Sequence, residues 1–326
     1  MPISVSQSKI KTWRMCKRAH YNKYVLGLRK KKIKRPFMFG RIVHEMIEAD
    51  ANGDDAFKVL DSIDLKNQKL FQAEREMYGD IINNIRDIMT EYFIHWGKSG
   101  LSYVRKKGKS AEHSFEIEVE KGIIFKGKID GLAKAKNLKW LVEHKTFTKE
   151  MNDDDRWRNI QSAVYIRAVR ELGIFDPDGT LWDSIKSKPP TVPQLLKDGS
   201  MSQRAIDTLP SVIHRFLKEN KLSPAKYKSF IKDQEANRDR FFKRVYTPIS
   251  EEVLDNIWED FLESAREVAE DGKEKKVRTI GFHCKSCDFE PLCRAELQGL
   301  DVDFTMSREY TTDAEESLQG EDRETT

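Results

Sequence analysis

The first 44 residues contain no aspartate or glutamate, although the whole chain has 54 acidic side chains. From Lys9 to Arg41 the chain carries 13 Lys or Arg. Such a segment repels cationic partners and suits an anionic one. Long apolar runs are also missing: none approaches the roughly 18 residues of a membrane span. Lys9, Lys11 and Arg14 interrupt any apolar core of a signal peptide near the N-terminus. The expected location is therefore cytoplasmic, with no membrane partner. No G-x4-G-K-[ST] phosphate loop occurs, so ATP-driven unwinding is not expected of this chain. Acidic residues collect at the other end. Residues 301–326 hold 9 Asp or Glu against 2 Arg, a net of −7, which leaves +11 on residues 1–300 out of an overall +4. A basic body with an acidic tail fits a nucleic-acid partner. The tail composition predicts disorder.

Cysteine is scarce, with four in 326 residues, but the placement carries information. Cys284, Cys287 and Cys293 form C-x2-C-x5-C, and Cys16 stands near the N-terminus. A reducing cytosol argues against a disulfide framework. Four thiolates from the two ends of the chain suit a four-cysteine site for zinc or an iron–sulfur cluster, which would clamp the termini together. The alternative, four unrelated buried thiols, does not explain the C-terminal triplet. His283 is a further candidate zinc ligand, though four thiols suffice.

The most informative stretch runs from Gly127 to Lys145 and reads as a β-hairpin. Two apolar strands flank Lys136-Asn137, a plausible two-residue turn. With that turn, paired positions sum to 273, so Asp130 faces Glu143 across the hairpin. Glu143 and Lys145 are two apart and share a face. Two carboxylates and an ammonium thus converge. Buried together, two carboxylates repel and one tends to keep its proton. A divalent cation removes that conflict, and hard oxygen ligands suit Mg²⁺ or Mn²⁺. The plain alternative is a solvated hairpin face with a cross-strand salt bridge.

Around the hairpin the chain reads as alternating helices and strands. Ser6 or Ser8 caps a first helix that contains Cys16, and its aromatics Trp13, Tyr21 and Tyr24 read as an apolar face. The run Arg29 to Arg35 reads as a basic loop, able to contact phosphate or simply solvated. A second helix carries His44 beside its apolar stripe. Residues 51–66 are polar, with Gly53 and several Asp, and one long helix is expected from about Gln68 to Gly97. Residues 113–119 alternate as a strand. A helix from about Arg156 to Leu172 places Gln161 and Tyr165 on one face, where a glutamine usually meets water. Residues 176–249 break the rhythm and read as an insertion with short helices near 202–219 and 224–238 and a strand near Phe241. A last long helix, Glu251 to Glu270, follows Ser250.

Taken together, Gly40 with His44, Asp130, Glu143 with Lys145, Gln161 with Tyr165, and the cysteine set resemble the PD-(D/E)XK nuclease superfamily. The order G-x3-H, Asp, E-x-K, Q-x3-Y with one early Cys and C-x2-C-x5-C is similar to its RecB-like branch, which carries an iron–sulfur cluster. Lys17 follows Cys16 where that branch often has Pro. The resemblance implies an α/β (α+β) restriction-endonuclease-like core, with a mixed central sheet flanked by helices. It divides the chain into core (1–175), insertion (176–249), C-terminal helix and cysteine segment (250–300) and acidic tail (301–326). It implies that Asp130, Glu143, His44 and the His144 carbonyl hold Mg²⁺ or Mn²⁺. Lys145 would position or activate the attacking water, and Gln161 and Tyr165 would support the site. Cys16, Cys284, Cys287 and Cys293 would hold a [4Fe–4S] cluster, with structural zinc as the alternative. The implied activity is exonucleolytic hydrolysis of DNA, single-stranded or end-containing duplex, in recombination, repair or phage DNA metabolism. A recombination or annealing protein is a possible partner, and a phage-encoded protein would act in the host cytoplasm. Trimming of CRISPR spacers and a non-catalytic, cluster-stabilised DNA-end binder are the rival readings.

Overall fold

The computed structural model describes residues 2–32, 34–68, 76, 80–97, 101–104 and 111–312. Strand β1 (Ile3–Val5) leads into helix α1 (Gln7–Met15), whose N-cap Ser6 accepts the Lys9 amide at 3.2 Å. The expected single first helix is broken at Cys16. Its backbone is extended (φ −163°, ψ 110°), so it ends α1 and precedes the short helix α2 (Lys17–His20). Strand β2 (Leu28–Lys30) follows, then α3 (Arg35–Asn52) with Pro36 in its first turn and Gly53 in the left-handed conformation after it. Most of the polar stretch 51–66 forms helix α4 (Ala56–Gln68). Phe57, Leu60 and Ile63 supply its packing stripe, against the core formed with α3. Helix α5 (Ile81–Trp96) begins only after Asp80, whose backbone is non-helical. The rest of the long helix expected from Gln68, residues 69–75 and 77–79, lies outside the described residues.

Strands β3 (Ser102–Tyr103), β4 (Ala111–Glu120), β5 (Ile123–Ala135) and β6 (Leu138–Phe147) come next. The β5–β6 hairpin turns at Lys136 and Asn137, with φ of 53° and 61°. Two successive positive φ values give the turn that matches strand twist. Its register is the expected one, from Ala135↔Leu138 to Gly131↔Val142. Helices α6 (Asp153–Trp157) and α7 (Ile160–Glu171) replace the single helix expected there, each capped by an asparagine, Asn152 and Asn159.

The segment 176–249 is not wholly an insertion. Strand β7 (Gly179–Lys186) pairs parallel with β6, and β8 (Phe242–Pro248) pairs antiparallel with β7. The excursion is what lies between them, with α8 (Pro210–Glu219) and α9 (Lys228–Ala236) around a small core of their own. Helix α10 (Glu251–Asp271), α11 (Glu290–Gln298), α12 (Val302–Glu309) and β9 (Tyr310–Thr312) complete the chain. The expected disordered tail is therefore ordered from 301 to 312. Asp301 caps α12, and β9 pairs with β2. The remainder of that expectation, residues 313–326, falls outside the described residues.

Among the described residues the sheet is seven-stranded and mixed, with β1, β5, β6, β7 and β8 in order and β3 and β4 on the far edge of β5. Residues of α1, α7 and α10 bury one face, with Val164, Ile166, Phe261 and Val268 in the core. Those of α3, α4 and α5 cover the other side, with Ile42, Met46 and Ile88 at its centre. This is the mixed α/β architecture expected. One gap matters. Along the edge of β5 away from β4, β1 pairs at Ile123–Phe125 and β6 at Gly131–Ala135. Among the described residues, no strand lies beside 126–130 on that edge. The sheet forks there, and Asp130 stands at the tip of the fork.

Candidate active site

Asp130 closes the fork in place of a strand. Its Oδ2 accepts the His144 amide at 2.9 Å, and its Oδ1 lies 3.4 Å from His44 Nδ1. In an extended strand the N–H and C=O of one residue point to the same side. The His144 carbonyl therefore also faces the fork. Helix α3 brings His44 here because Gly40, one turn earlier, lets it approach β6. A Cβ on Gly40 would sit 3.3 Å from Thr146 Oγ1.

Strand alternation sends β6 side chains to both sides of the sheet. Glu143 and Lys145 face α7. Lys145 Nζ is 2.8 Å from Glu143 Oε2, and Gln161 Nε2 donates to both Glu143 oxygens at 3.2 and 3.4 Å. Lys145 in turn donates to Gln161 Oε1 at 3.4 Å. Gln161 thus faces the site, not water. Tyr165, one turn on, is buried, with its ring 5.5 Å from that of Phe115 and 6.1 Å from that of Phe125. It forms a wall of the site, and burial with the charges of Glu143 and Asp130 pushes its hydroxyl pKa up.

His144 faces the opposite way. Its Nδ1 lies 3.1 Å from Asp183 Oδ2, its Nε2 lies 3.4 Å from the Tyr103 hydroxyl, and its ring meets His44 edge-on at 5.9 Å. Asp183 is fully buried and also takes the Tyr92 hydroxyl, with Arg244 Nε at 3.4 Å. Arg244 lies over the Trp96 ring at 4.2 Å. Sequence reasoning missed Asp183. The available signal was one acid inside the apolar strand Thr180-Leu181-Trp182-Asp183-Ser184-Ile185.

The electrostatics follow from burial and pairing. Burial pushes Asp130 up, but the His44 hydrogen bond and the charges of His44, His144 and Lys145 outweigh it and bring the carboxyl to about 2. Burial and the Asp130 charge raise Glu143, and Lys145 offsets only part of this. Burial lowers Lys145, yet Glu143 outweighs it and the ammonium is held above its ordinary value. His44 is likewise pulled down by burial and raised overall by Asp130. Each of the two carboxyls thus lies beside its own basic partner.

Residues 4–294 match the PD-(D/E)XK nuclease superfamily. The chain belongs to that superfamily. Comparison with curated proteins gives no match. A solved structure titled "Crystal structure of SSO0001" is 13% identical, covering 79% of this chain and 84% of that one, at a TM-score of 0.29, and no argument is built on so low a likeness. Nucleases of this superfamily generally use Mg²⁺ or Mn²⁺, and DNA is the substrate that membership implies. In chemical type, two carboxylates, one imidazole and a backbone carbonyl suit such an ion. Among the described residues, no group of three or more His, Cys, Asp or Glu side chains is placed to hold a metal ion.

The four cysteines of this PD-(D/E)XK chain are free, and all four line one cavity of about 230 Å³. The break at Cys16 turns that residue toward the 279–293 segment, where the Thr279 amide meets its Sγ at 3.5 Å. Burial raises Cys287 and Cys293, and neighbouring thiols, Cys16 among them, add to this. Thiols that destabilise one another's anions in one cavity fit a shared metal or cluster, as thiolate sets for zinc and iron–sulfur groups do. His283 also lines the cavity, but its Nε2 lies 2.9 Å from the Thr279 carbonyl oxygen. The basic run is partly pinned: Lys31 donates to the Ser307 carbonyl, and Lys34 reaches the Ser286 carbonyl and Asp288. Among the described residues, no helix is long and apolar enough to cross a membrane.

Proposed function

We propose that this protein is a Mg²⁺- or Mn²⁺-dependent DNA exonuclease of the RecB-like branch, working at DNA ends in recombination, repair or phage DNA metabolism. The observation that supports the reading is the sheet fork, where Asp130 accepts the His144 amide and lies beside His44, with Glu143 paired to Lys145 on β6. Asp130, Glu143, His44 and the His144 carbonyl would hold the divalent ion. When bound, the ion neutralises phosphate charge and makes water acidic enough to attack near neutral pH. Lys145, beside Glu143, would position or activate the attacking water. Gln161 bridges Glu143 and Lys145 and fixes both side chains relative to each other. Tyr165 keeps water from the side of the site that faces the core.

The preference for ends rests on the ordered motif set and its resemblance to the RecB-like branch. Cys16, Cys284, Cys287 and Cys293 would hold a [4Fe–4S] cluster with a structural role, fastening α1 to the C-terminal segment. Without a phosphate loop, the chain would act on ends that other proteins expose.

The test is degradation of end-labelled single-stranded and duplex DNA with Mg²⁺ or Mn²⁺. Stepwise loss from one end is expected in the wild type and none in Glu143→Ala. Internal cuts, or cleavage surviving in that variant, contradict the reading. Protein purified without oxygen should be brown and contain iron. Colourless, zinc-loaded protein removes the cluster assignment and leaves the nuclease reading standing.

A further inference from the structure

A cleft of about 1010 Å³ opens from Lys145 and Gln161 and leads away from Asp130 and His44. Helix α1 walls one side through Ile10, Lys11 and Arg14. Residues 147–152 and the start of α7 wall the other, and the ends of β6 and β7 form the floor. Six cationic side chains and two carboxylates line it. Both carboxylates are already matched: Glu150 by Arg156 and Lys243, and Asp155 by Arg158. Lys11 and Lys149 are exposed and, among the described residues, have no carboxylate in ion-pair range. Arg14 hydrogen-bonds neutral acceptors, Ser264 Oγ at 2.5 Å and the Asp260 carbonyl, with Glu267 in electrostatic range but not hydrogen-bonded to it. In the floor, Trp182 stands beside Glu143 in the β6–β7 ladder, and its buried indole N–H has no acceptor.

We infer that this cleft seats one unpaired DNA strand, its phosphates held by Lys11, Arg14 and Lys149 and its scissile phosphate delivered to Lys145. This deepens the nuclease reading and rests on it. A slot walled on both sides takes one backbone. The second strand of a duplex would have to occupy the position of α1 or of the 147–152 loop. A groove of spaced cations that tracks the backbone is a recurring feature of sequence-tolerant single-strand sites. The arrangement also gives Cys16 a consequence for substrate binding, because the cysteine site sets the position of the wall that carries Lys11 and Arg14.

The experiment measures binding of a labelled single-stranded oligonucleotide to the full-length protein without divalent metal, across a salt series. Lys11→Gln/Lys149→Gln should weaken binding about tenfold at low salt and lower the salt slope by about 1.4, the value for two single-strand phosphate contacts. Duplex affinity should change less. Both lysines are exposed, so the variant folds. Arg158→Gln lines the same cleft with its charge already balanced and should leave affinity within about twofold. With metal added, KM for single-stranded DNA should rise about tenfold in the double variant while kcat falls less than about threefold. Unchanged affinity and slope, or an Arg158→Gln effect as large, would overturn the inference. Absence of cleavage by the wild type would overturn the nuclease reading alone, since the metal-free arm still judges the cleft.

Discussion

His144 Nδ1 lies 3.1 Å from Asp183 Oδ2, and the backbone of that same histidine donates to Asp130. One residue therefore joins a fully buried carboxylate on one side of the sheet to a proposed ion ligand at the fork. Asp183 stays ionised despite burial, which by itself would raise its pKa. The His144 hydrogen bond and the Arg244 charge outweigh burial and lower it. Asp183→Asn keeps the volume and removes the charge. Outer partners of metal ligands typically carry about 10–100-fold of metal affinity. We expect a loss of that size in Mn²⁺ affinity and in kcat at fixed metal, with KM for DNA unchanged. Calorimetric Mn²⁺ titration checks this. Equal metal affinity in the variant would reduce Asp183 to a packing role.

Gly40 gives a steric prediction. The 3.3 Å approach of a Cβ to Thr146 Oγ1 leaves no room for a branched side chain. Gly40→Val should push α3 off β6 and carry His44 away from Asp130, lowering kcat about tenfold or more. Adding Thr146→Ala should recover part of the loss, because the two sites are in contact and not additive. A double variant no better than Gly40→Val would show that the helix is not held off by Thr146.

His20 gives a pH dependence. Its ring is buried between Trp13 (5.0 Å) and Tyr24 (5.2 Å), and burial, with a smaller effect from Lys9, lowers its pKa from 6.5 to about 4. The folded state thus prefers the neutral ring. Between about pH 6.5 and 4 the unfolded chain binds the extra proton. Stability is therefore full above the unfolded value and falls as pH drops toward 4, by up to roughly 3 kcal/mol from this group. Urea midpoints at neutral and mildly acid pH should diverge in the wild type and converge in His20→Phe. Equal divergence in both would assign the acid sensitivity elsewhere.

Cys16 lies 268 positions before Cys284, so a group bound by both closes most of the chain into one loop. By chain entropy alone a cross-link over a loop of that order contributes at most roughly 5–6 kcal/mol. Cys16→Ser, or removal of the bound group by a chelator, should lower the thermal midpoint and speed hydrogen exchange across residues 7–15. Unchanged exchange there would mean that the α1–α10 contacts alone, such as Trp13 Nε1 to Glu267 at 2.7 Å, hold the helix.

Much of the site was legible because local rules fix it. Lys136-Asn137 set the turn, and the turn set the register as far as Gly131↔Val142; beyond it the ladder stops, and Asp130 takes the His144 amide with its side chain. Helical spacing put Gln161 and Tyr165 on adjacent turns. What resisted reading depends on contacts distant in sequence. β7 and β8 looked like insertion because Asp176-Pro177-Asp178-Gly179 reads as a turn, and nothing local says that the next strand rejoins the sheet beside β6. Cys16 looked helical because its neighbours are helix formers, whereas the break there meets a segment more than 260 residues away. Asp183 was silent because its partners Tyr92, His144 and Arg244 come from three other elements. The same holds for residues 301–312, whose acidic composition hid the pairing of β9 with β2.

The central claim is that Asp130 and Glu143 share one divalent ion, and Mn²⁺ titration of the wild type, Asp130→Asn and Glu143→Gln tests it most directly. The account predicts one Mn²⁺ per chain at the fork in the wild type, with affinity reduced about tenfold or more in each variant and DNA hydrolysis lost in parallel. Mn²⁺ binding of wild-type strength in both variants would contradict it.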